Sequence, residues 1–404
     1  MVNLKHRGEF QGRHMETGTI CNALACRGIK APHTGKPYSE ALLFGVSGGI
    51  ALGYFIFQYK GFPPHVALMT RNTFDPFPTT LDRLGIIQDL QETIHPDRGL
   101  SNVIEALDSG VTPAVWVDVF TLKYNQYPQI KNMWGTMPLL VHGYDGDSLL
   151  IADRSKVSWK LSTAEFTAAR ARVKEIRFRA ATLSPPDNTK LKEAVLAGIR
   201  QCISLFRDGS PRGAKDSFGF GAFQNWADML VNKRNKQSWE RVFSTGRDLY
   251  QGLAGMVCQP GVFSWIMTWS GGPGAARGVY ADFLDEAATI LERPRLKDVA
   301  HRFRQSMELW RRLAQSALPD NIPCLFESGK LLMQRRELFV EKGPAGQDGI
   351  REIDKRLDEL ANASKTLDRS SEEIRNLLAN LRDQVLQIRD AEREAIEALR
   401  NAVA

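Results

Sequence analysis

The chain has 404 residues, of which 25% are charged and 43% hydrophobic, and its net charge is +7. This composition can build two or three folded domains, and it excludes a wholly disordered chain, a collagen and a disulfide scaffold. The last sixty residues carry 10 basic and 13 acidic side chains, which leaves the body at +10. Such an excess suits an acidic ligand or carrier protein. Because no basic run is present, we expect no nucleic-acid partner.

The cysteines are odd in number and form no Cys-x-x-Cys pair. This pattern predicts a reduced, cytoplasmic protein without a zinc ribbon or another metal site. Nothing in the sequence indicates a cofactor, and the polar, charged first fourteen residues are not typical of a signal peptide. The five cysteines are Cys21, Cys26, Cys202, Cys258 and Cys324.

Residues 1–183 combine helix and strand signals. A short helix is predicted over 14–27, and Tyr144-Asp-Gly-Asp-Ser has the composition of a hairpin turn. The segment 41–59 contains no charge and has about the length of a membrane span. Its four glycines, together with Ser47 and Gln58, favour a buried helix with a glycine-rich entry, so we expect no membrane span. Short strands are predicted over 115–120, 139–144, 149–153 and 173–178.

After a proline-rich linker at 184–189 the pattern becomes helical. Leu191, Ala194 and Val195 have the spacing of one helix face, and similar sets recur up to about residue 316. We therefore predict an all-α domain over 190–320. The glycine-rich segment 270–277 lacks the Lys-Ser/Thr of a phosphate loop and is interpreted as a helix entry.

The tail, residues 345–404, has the clearest periodicity. Apolar residues repeat every 3.5 positions from Ile350 to Leu399, interrupted by Ser364, Ser371 and Glu392. This spacing predicts a long coiled-coil helix that makes a homo-oligomer or pairs with a partner helix through 350–399. The alternative is an amphipathic helix packed on its own body. We consider fifty residues at ~1.5 Å each too long for that.

Two segments carry a resemblance to a known family. They are His14-Met-Glu-Thr-Gly-Thr-Ile-Cys-Asn-Ala-Leu-Ala-Cys-Arg-Gly-Ile and Ser39-Glu-Ala-Leu-Leu-Phe-Gly-Val-Ser-Gly-Gly-Ile, followed by Gly143-Tyr-Asp and Asp153. They resemble the N-terminal domain of the butirosin biosynthesis protein H family. The stretch beginning at Arg277 resembles the helical domain that commonly follows it.

The resemblance implies a papain-like cysteine-enzyme fold that transfers an acyl group from a carrier-protein thioester to an amine. That chemistry needs a thiolate at a helix N-terminus, a histidine base and a group that orients the histidine. In this sequence the cysteine position is Met15 and the histidine position is Met137, while the presumed orienting acid, Asp153, is kept. A thioether is neither an acyl acceptor nor a base. The loss of both residues therefore favours a pseudoenzyme.

Two alternatives concern the residues that remain near the expected site. Cys21 is the fallback nucleophile, but it lies ~240° around the helix from Met15, so a buried apolar role is favoured. Met15 and Met137, if they oppose each other near His14, form a conceivable Cu(I) site, although methionine more commonly fills apolar gaps. We expect the residues that shape the binding site to be His14, Glu16, Thr17, Glu40 and Tyr144.

The sequence thus predicts an α+β protein with a papain-like domain at 1–183, a helical domain at 190–320 and a coiled-coil tail at 345–404. The leading hypothesis is a pseudoenzyme that binds an acyl group, an acyl carrier protein or a catalytic homologue in a biosynthetic pathway. The alternatives are an active acyltransferase or amide-forming enzyme that uses Cys21, and a coiled-coil scaffold protein.

Overall fold

The structure, a computed structural model, describes residues 2–3, 8–128, 130, 133–211, 215–269, 271–366 and 369–404. The α+β class predicted from the sequence is confirmed. Two compact units are formed from alternating stretches of the chain. Unit 1 consists of 1–43, 75–194 and 337–351, and unit 2 of 44–74, 195–336 and 352–404. The predicted domain bounds at 1–183, 190–320 and 345–404 stay predictions.

Unit 1 contains an antiparallel sheet in the order β4-β9-β5-β6-β7-β8, with β1 also paired to β6. The predicted strands at 115–120, 139–144 and 149–153 are present, and the predicted hairpin joins β6 to β7 with Asp145 opposite Ser148. The bounds are β1 Val2–Asn3, β4 Gln88–Gln91, β5 Ala114–Asp118, β6 Thr136–Asp145, β7 Ser148–Ala152, β8 Trp159–Ser162 and β9 Ala180–Leu183.

Helices cover both faces of this sheet. Val115 and Val117 of β5 point into a core cluster that also contains residues of α4 and α5. Trp116, between them, points to the opposite face, where its ring lies 5.3 Å from that of Phe77 in α3. Helix α1 packs against α3 and along β6. The helices of this unit are α1 Met15–Cys26, α3 Pro76–Arg83, α4 Pro96–Asp108 and α5 Thr163–Ala171, and the chain passes between units within α2 Glu40–Val46.

Two sequence predictions in this region are wrong. The predicted strand over 173–178 is a 3-10 turn at Lys174–Ile176, and the strand forms a few residues later as β9. The segment 41–59 is not one buried helix, because α2 ends at Val46 and the chain continues as strand β2, Ile50–Phe57. Gly48 and Gly49 make this change of direction with φ of 108° and 65°, a region that glycine adopts readily.

Unit 2 is mainly helical, as predicted for residues after 190, and it also holds the antiparallel hairpin of β2 and β3, His65–Arg71. Across the described residues no helix is long and apolar enough to cross a membrane. The remaining elements are α6 Leu191–Arg207, α7 Gly219–Val231, α8 Trp239–Val242, α9 Arg247–Leu253, β10 Gly255–Met256, β11 Gln259–Pro260, α10 Val262–Ser264, α11 Arg277–Ile290, α12 Arg295–Ala317, α13 Pro323–Glu337, α14 Gln347–Ala363 and α15 Ser371–Val403.

The tail differs from the predicted single helix, because α14 and α15 are separate and Leu367 of the predicted seam lies outside the described residues. Helix α15 packs against α7 and α12 of the same chain. The alternative of a helix packed on its own body is therefore correct for α15. The seam residues of α15 that are buried are Ile374, Leu378, Leu381, Val385, Ile388, Glu392, Ala395 and Leu399.

Candidate functional site

The segment before α1 folds back along the helix. The Gly12 N–H donates to the Asn22 side chain at 3.0 Å, and a Cβ on Gly12 would overlap the backbone of Gly18. His14 is the N-cap residue, and its Nδ1 accepts a hydrogen bond from the Glu16 N–H at 3.4 Å. The glycine at position 18 of the opening box is thus required by a close approach of two backbone segments, since a Cβ there would lie 2.9 Å from the Gly12 Cα.

A carboxylate lies at the start of α1. Glu40 accepts hydrogen bonds from the backbone N–H groups of Arg13 at 2.5 Å and His14 at 2.9 Å. It also accepts one from the Thr17 hydroxyl at 2.9 Å. The positive end of the helix dipole favours an anion at this place. The Ser-Glu motif therefore holds the opening box in position through Glu40.

Met15 is the first residue of α1 and is buried. One turn later, the Thr19 hydroxyl donates to the Met15 carbonyl and, at 3.2 Å, to the Pro138 carbonyl. Since Pro138 follows Met137 in β6, this contact places α1 beside the start of that strand. The elements that carry the two methionines are therefore neighbours.

The side chain of Met137 has a different direction. Met137 pairs with Val117 across the β5–β6 ladder, and strand alternation puts it on the face of Val117 and Leu139. Both of those residues belong to the core cluster under α4 and α5. Helix α1 lies with α3 on the Trp116 face, so this arrangement does not support two opposed thioethers. The Cu(I) alternative at Met15 and Met137 therefore has no support from the strand pairing of Met137.

Asp153, the presumed orienting acid, is 5% exposed and has two strong partners. Its Oδ2 accepts a hydrogen bond from the Tyr124 hydroxyl at 2.8 Å. Arg154 donates to both of its oxygens, each at 2.8 Å. Burial raises the pKa of Tyr124 well above its usual value, and the Asp153 charge adds to this effect. Burial alone would lower the pKa of Arg154, but the contact with Asp153 raises it.

The thiol of Cys21 is 1% exposed and donates to the Tyr38 carbonyl at 3.3 Å. Burial raises the pKa of Cys26 and of Cys202 to about 12. It also raises the pKa of Cys258 to about 11 and that of Cys324 above its usual value. An activated nucleophile requires a lowered thiol pKa, so these four cysteines are unsuited to the role.

Tyr144, the last of the predicted binding residues, and the strand histidine His142 lie apart from the contacts at the start of α1. Tyr144 packs against the core cluster of the sheet. The His142 Nε2 lies 2.8 Å from the Ser158 hydroxyl, and its ring is 5.0 Å from that of Phe10. The described part of the chain contains no group of three or more His, Cys, Asp or Glu residues placed to hold a metal ion.

Two residues of the site were missed by sequence reasoning. Arg13 donates from its guanidinium to the carbonyls of Phe10 and Gly12, and burial lowers its pKa. Arg154 has a φ of 54° and also donates to the Asn125 side chain. The sequence signal for Arg154 was its place directly after Asp153. No comparable sequence signal identifies Arg13.

The α+β fold and the cluster around α1 thus carry the residues on which the family resemblance rested. The family model of butirosin biosynthesis protein H, N-terminal, matches residues 14–154 and confirms that resemblance over this part of the chain. The match indicates a biosynthetic acyltransferase-like domain. No curated protein matches the chain.

Proposed function

We propose that this protein is a papain-like, acyltransferase-like pseudoenzyme that binds an acyl-loaded carrier protein in a biosynthetic pathway. The observation that carries the proposal is the chemistry at the start of α1. The helix begins at Met15, and the anion beside its N-terminus is the Glu40 carboxylate. In an active relative the thiolate would receive this stabilisation from the helix. Here the first residue of the helix carries a thioether, which cannot be deprotonated.

The contacts of Asp153 support the same conclusion. An orienting acid must accept a hydrogen bond from the histidine base. Asp153 instead accepts from the Tyr124 hydroxyl and from the Nε and one Nη of Arg154. Buried, hydrogen-bonded ion pairs of this kind are costly to break. In this proposal Asp153 is therefore a structural residue.

Cys21 is disfavoured as a replacement nucleophile. Its sulfur is buried within α1 and donates to a backbone carbonyl, so a substrate thioester has no path to it without opening of the helix packing. Self-association through 350–399 is not part of the proposal, because α15 buries its apolar seam within the chain. A cytoplasmic location is part of it, since all five cysteines are free thiols.

A carrier protein is proposed as partner because the resemblance concerns acyl transfer from a carrier. The body of the chain also has an excess of positive charge that suits an acidic surface. In such a protein, retained binding without transfer would sequester or present the acyl group. A catalytic homologue is the second partner that the resemblance favours.

The test uses the full chain, a carrier protein loaded with an octanoyl thioester, and a primary amine. We expect saturable binding below roughly 100 μM by calorimetry, no octanoyl adduct by intact mass, and no amide above the rate without protein. An adduct that disappears in Cys21→Ser would establish the reassigned enzyme and overturn the pseudoenzyme. Absence of binding would overturn the carrier-protein part of the proposal.

A further inference from the structure

Unit 2 contains a cavity of about 820 Å³ that is outside the region matched by the family. Its walls come from the end of α12, the turn that follows it, α13, α15 and the segment around Phe263. Small-molecule sites commonly have volumes of roughly 300–1,000 Å³. The volume therefore suits a small ligand.

The floor of the cavity is apolar. Phe263 and Leu318 are buried, and Gly329 lies beside them. A Cβ on Gly329 would be 3.1 Å from Cδ1 of Leu318 and 3.5 Å from the Phe263 ring, so Leu318 and Phe263 pack closely against this glycine. Leu309, Met267 and Met333 extend the apolar wall. Methionine and leucine side chains adapt to flexible chains such as alkyl groups.

The charged side chains at the exposed rim of the cavity are mostly positive. Arg312 and Lys330 both line the cavity, with Asp320 as the opposing acid. The Lys330 ammonium lies 4.2 Å from the centroid of the Phe326 ring, and this ring is 41% exposed. A lysine held over an aromatic ring keeps its stem on apolar surface and its charge at the water boundary. The mouth thus combines an aromatic edge with two cations.

We propose that this cavity binds a linear aliphatic carboxylate, with the alkyl chain on the Phe263–Leu318–Gly329 floor and the carboxylate between Arg312 and Lys330. Gln315, Ser316, Gln384 and Gln387 also line the cavity. The buried side chains of Phe263 and Leu318 nevertheless disfavour a ligand that is polar along its whole length, because its groups would lose hydrogen bonds to water there. The two cations favour an acid over a neutral alcohol of the same length. The inference stands on unit 2 alone and does not depend on the proposed function of the α1 site.

The probes are dodecanoic acid, decanoic acid and dodecanol, titrated into the full chain with calorimetry as the readout. We expect saturable binding of dodecanoate, with dodecanol about tenfold weaker because it lacks the charge. Decanoate should bind roughly fifteenfold more weakly than dodecanoate, since each buried methylene contributes about fourfold. A set of equal affinities for the three probes would overturn the proposal.

Two variants and one matched control locate the binding. Arg312→Gln with Lys330→Gln should weaken dodecanoate about tenfold and leave dodecanol unchanged. Met333→Trp, which fills the cavity, should weaken both. The control, Arg295→Gln with Lys297→Gln, removes the same charge from exposed positions of α12 outside the cavity and should change neither. Wild-type affinity in both cavity variants would overturn the proposal, as would absence of binding to the wild-type protein.

Discussion

Arg277 of α11 and Glu392 of α15 form an ion pair in which both side chains are completely buried. The Arg277 Nε donates to one carboxylate oxygen at 2.7 Å, and a terminal nitrogen donates to the other at 2.9 Å. This bidentate geometry is the strongest arrangement of an arginine with a carboxylate. The pair joins Arg277, which begins the stretch that resembles the helical domain of the family, to Glu392, which interrupts the apolar heptad pattern of the tail.

The pair is the centre of a larger network. The remaining guanidinium protons go to three backbone carbonyls, and the Glu392 carboxylate accepts two further hydrogen bonds, so all five N–H donors of Arg277 are used. The carbonyls belong to Thr70, Ala275 and Ala51, and the additional donors to the carboxylate are Ser306 and Trp310.

The substitution Glu392→Gln is expected to lower the free energy of unfolding by about 3–5 kcal/mol, because it leaves the Arg277 charge buried without a counter-charge. Urea denaturation followed by circular dichroism is the measurement. The control is Glu394→Gln, two residues further along the same helix, which is 76% exposed in its side chain and should change stability by less than about 0.5 kcal/mol. Equal effects of the two substitutions would contradict the network.

The double change Arg277→Met with Glu392→Leu separates the contribution of the ion pair to stability from that of the surrounding hydrogen bonds. A buried ion pair alone can often be replaced by apolar residues at little cost. Here three backbone carbonyls would lose their donor, at about 1–3 kcal/mol each. We therefore expect the double variant to remain clearly less stable than the wild type by the same denaturation measurement. Wild-type stability would show that the carbonyls find other partners.

The heptad pattern predicted the buried face of α15 but not what covers it. Periodicity reports which side of a helix is apolar, and that side is the same for a partner chain and for the protein's own α7 and α12. The interruption at Glu392 was visible, yet its partner lies 115 residues away in sequence. The break before α15 did have a signal, since Ser370 and Glu373 form a capping box.

Leu381→Ala tests the packing of α15. The side chain is 1% exposed, so its truncation should cost about 2–5 kcal/mol of stability. Because the contacts are within one chain, the urea midpoint should not change with protein concentration, whereas an association between chains would make it change. Asn376→Ala on the exposed face is the control and should be nearly neutral. A urea midpoint that rises with protein concentration would contradict packing within one chain and would support the oligomeric coiled coil.

A histidine in the β2–β3 hairpin should make stability depend on pH. Burial lowers the pKa of His65 to about 4, and its ring is stacked with that of Phe57 and tilted by 43° to that of Trp265. The unfolded chain, with a histidine pKa of about 6.5, binds the proton more readily. Stability is therefore complete above about pH 6.5 and falls as the pH decreases toward 4.

His65→Phe should keep the aromatic stack and remove this dependence. Between pH 7 and pH 5, the wild type should lose roughly 2 kcal/mol relative to the variant. Urea midpoints at the two pH values give the comparison. His301→Gln, at an exposed position of α12, is the matched control and should follow the wild type. Parallel pH profiles for wild type and His65→Phe would show that the buried imidazole does not titrate as inferred.

At the start of α1 the sequence predicted the local structure well. The opening box predicted a helix over 14–27, and α1 extends over Met15–Cys26. The opening box did not predict the contact of Glu40 with the start of α1, because Glu40 lies 27 positions from Arg13 in the sequence. Asp153 was identified through the family resemblance, but its hydrogen bond with Tyr124 joins residues 29 positions apart in the sequence. Local patterns do not encode such pairings.

The cysteines should be unreactive in the folded protein. With the pKa of Cys26 and Cys202 at about 12 and that of Cys258 at about 11, less than roughly one thiol in a thousand is ionised at pH 8. Iodoacetamide labelling with peptide mapping is the measurement. We expect labelling of the native chain to be at least about 100-fold slower than that of the urea-unfolded chain, in which all five label. Fast labelling of one native cysteine would identify a nucleophile.

The last prediction concerns restoration of the family residues. Met15→Cys with Met137→His introduces a thiol at the helix start and an imidazole on β6. In an active enzyme this pair would lower the thiol pKa below about 8.5. Three features of this chain oppose that result. Glu40 already supplies a negative charge at the same helix end. Strand alternation puts position 137 on the face of Val117 and Leu139. Asp153 is held by Tyr124 and Arg154.

We therefore expect the new thiol of the double variant to titrate no lower than a free cysteine, as judged by its alkylation rate against pH. The single variant Met15→Cys should behave in the same way, because the histidine adds nothing if it faces away. Adding Glu40→Gln to the double variant should lower the thiol pKa, since it removes the competing anion from the helix end. A depressed thiol pKa in the double variant alone would mean that positions 15 and 137 do face each other. The two methionines would then fill an otherwise intact catalytic site.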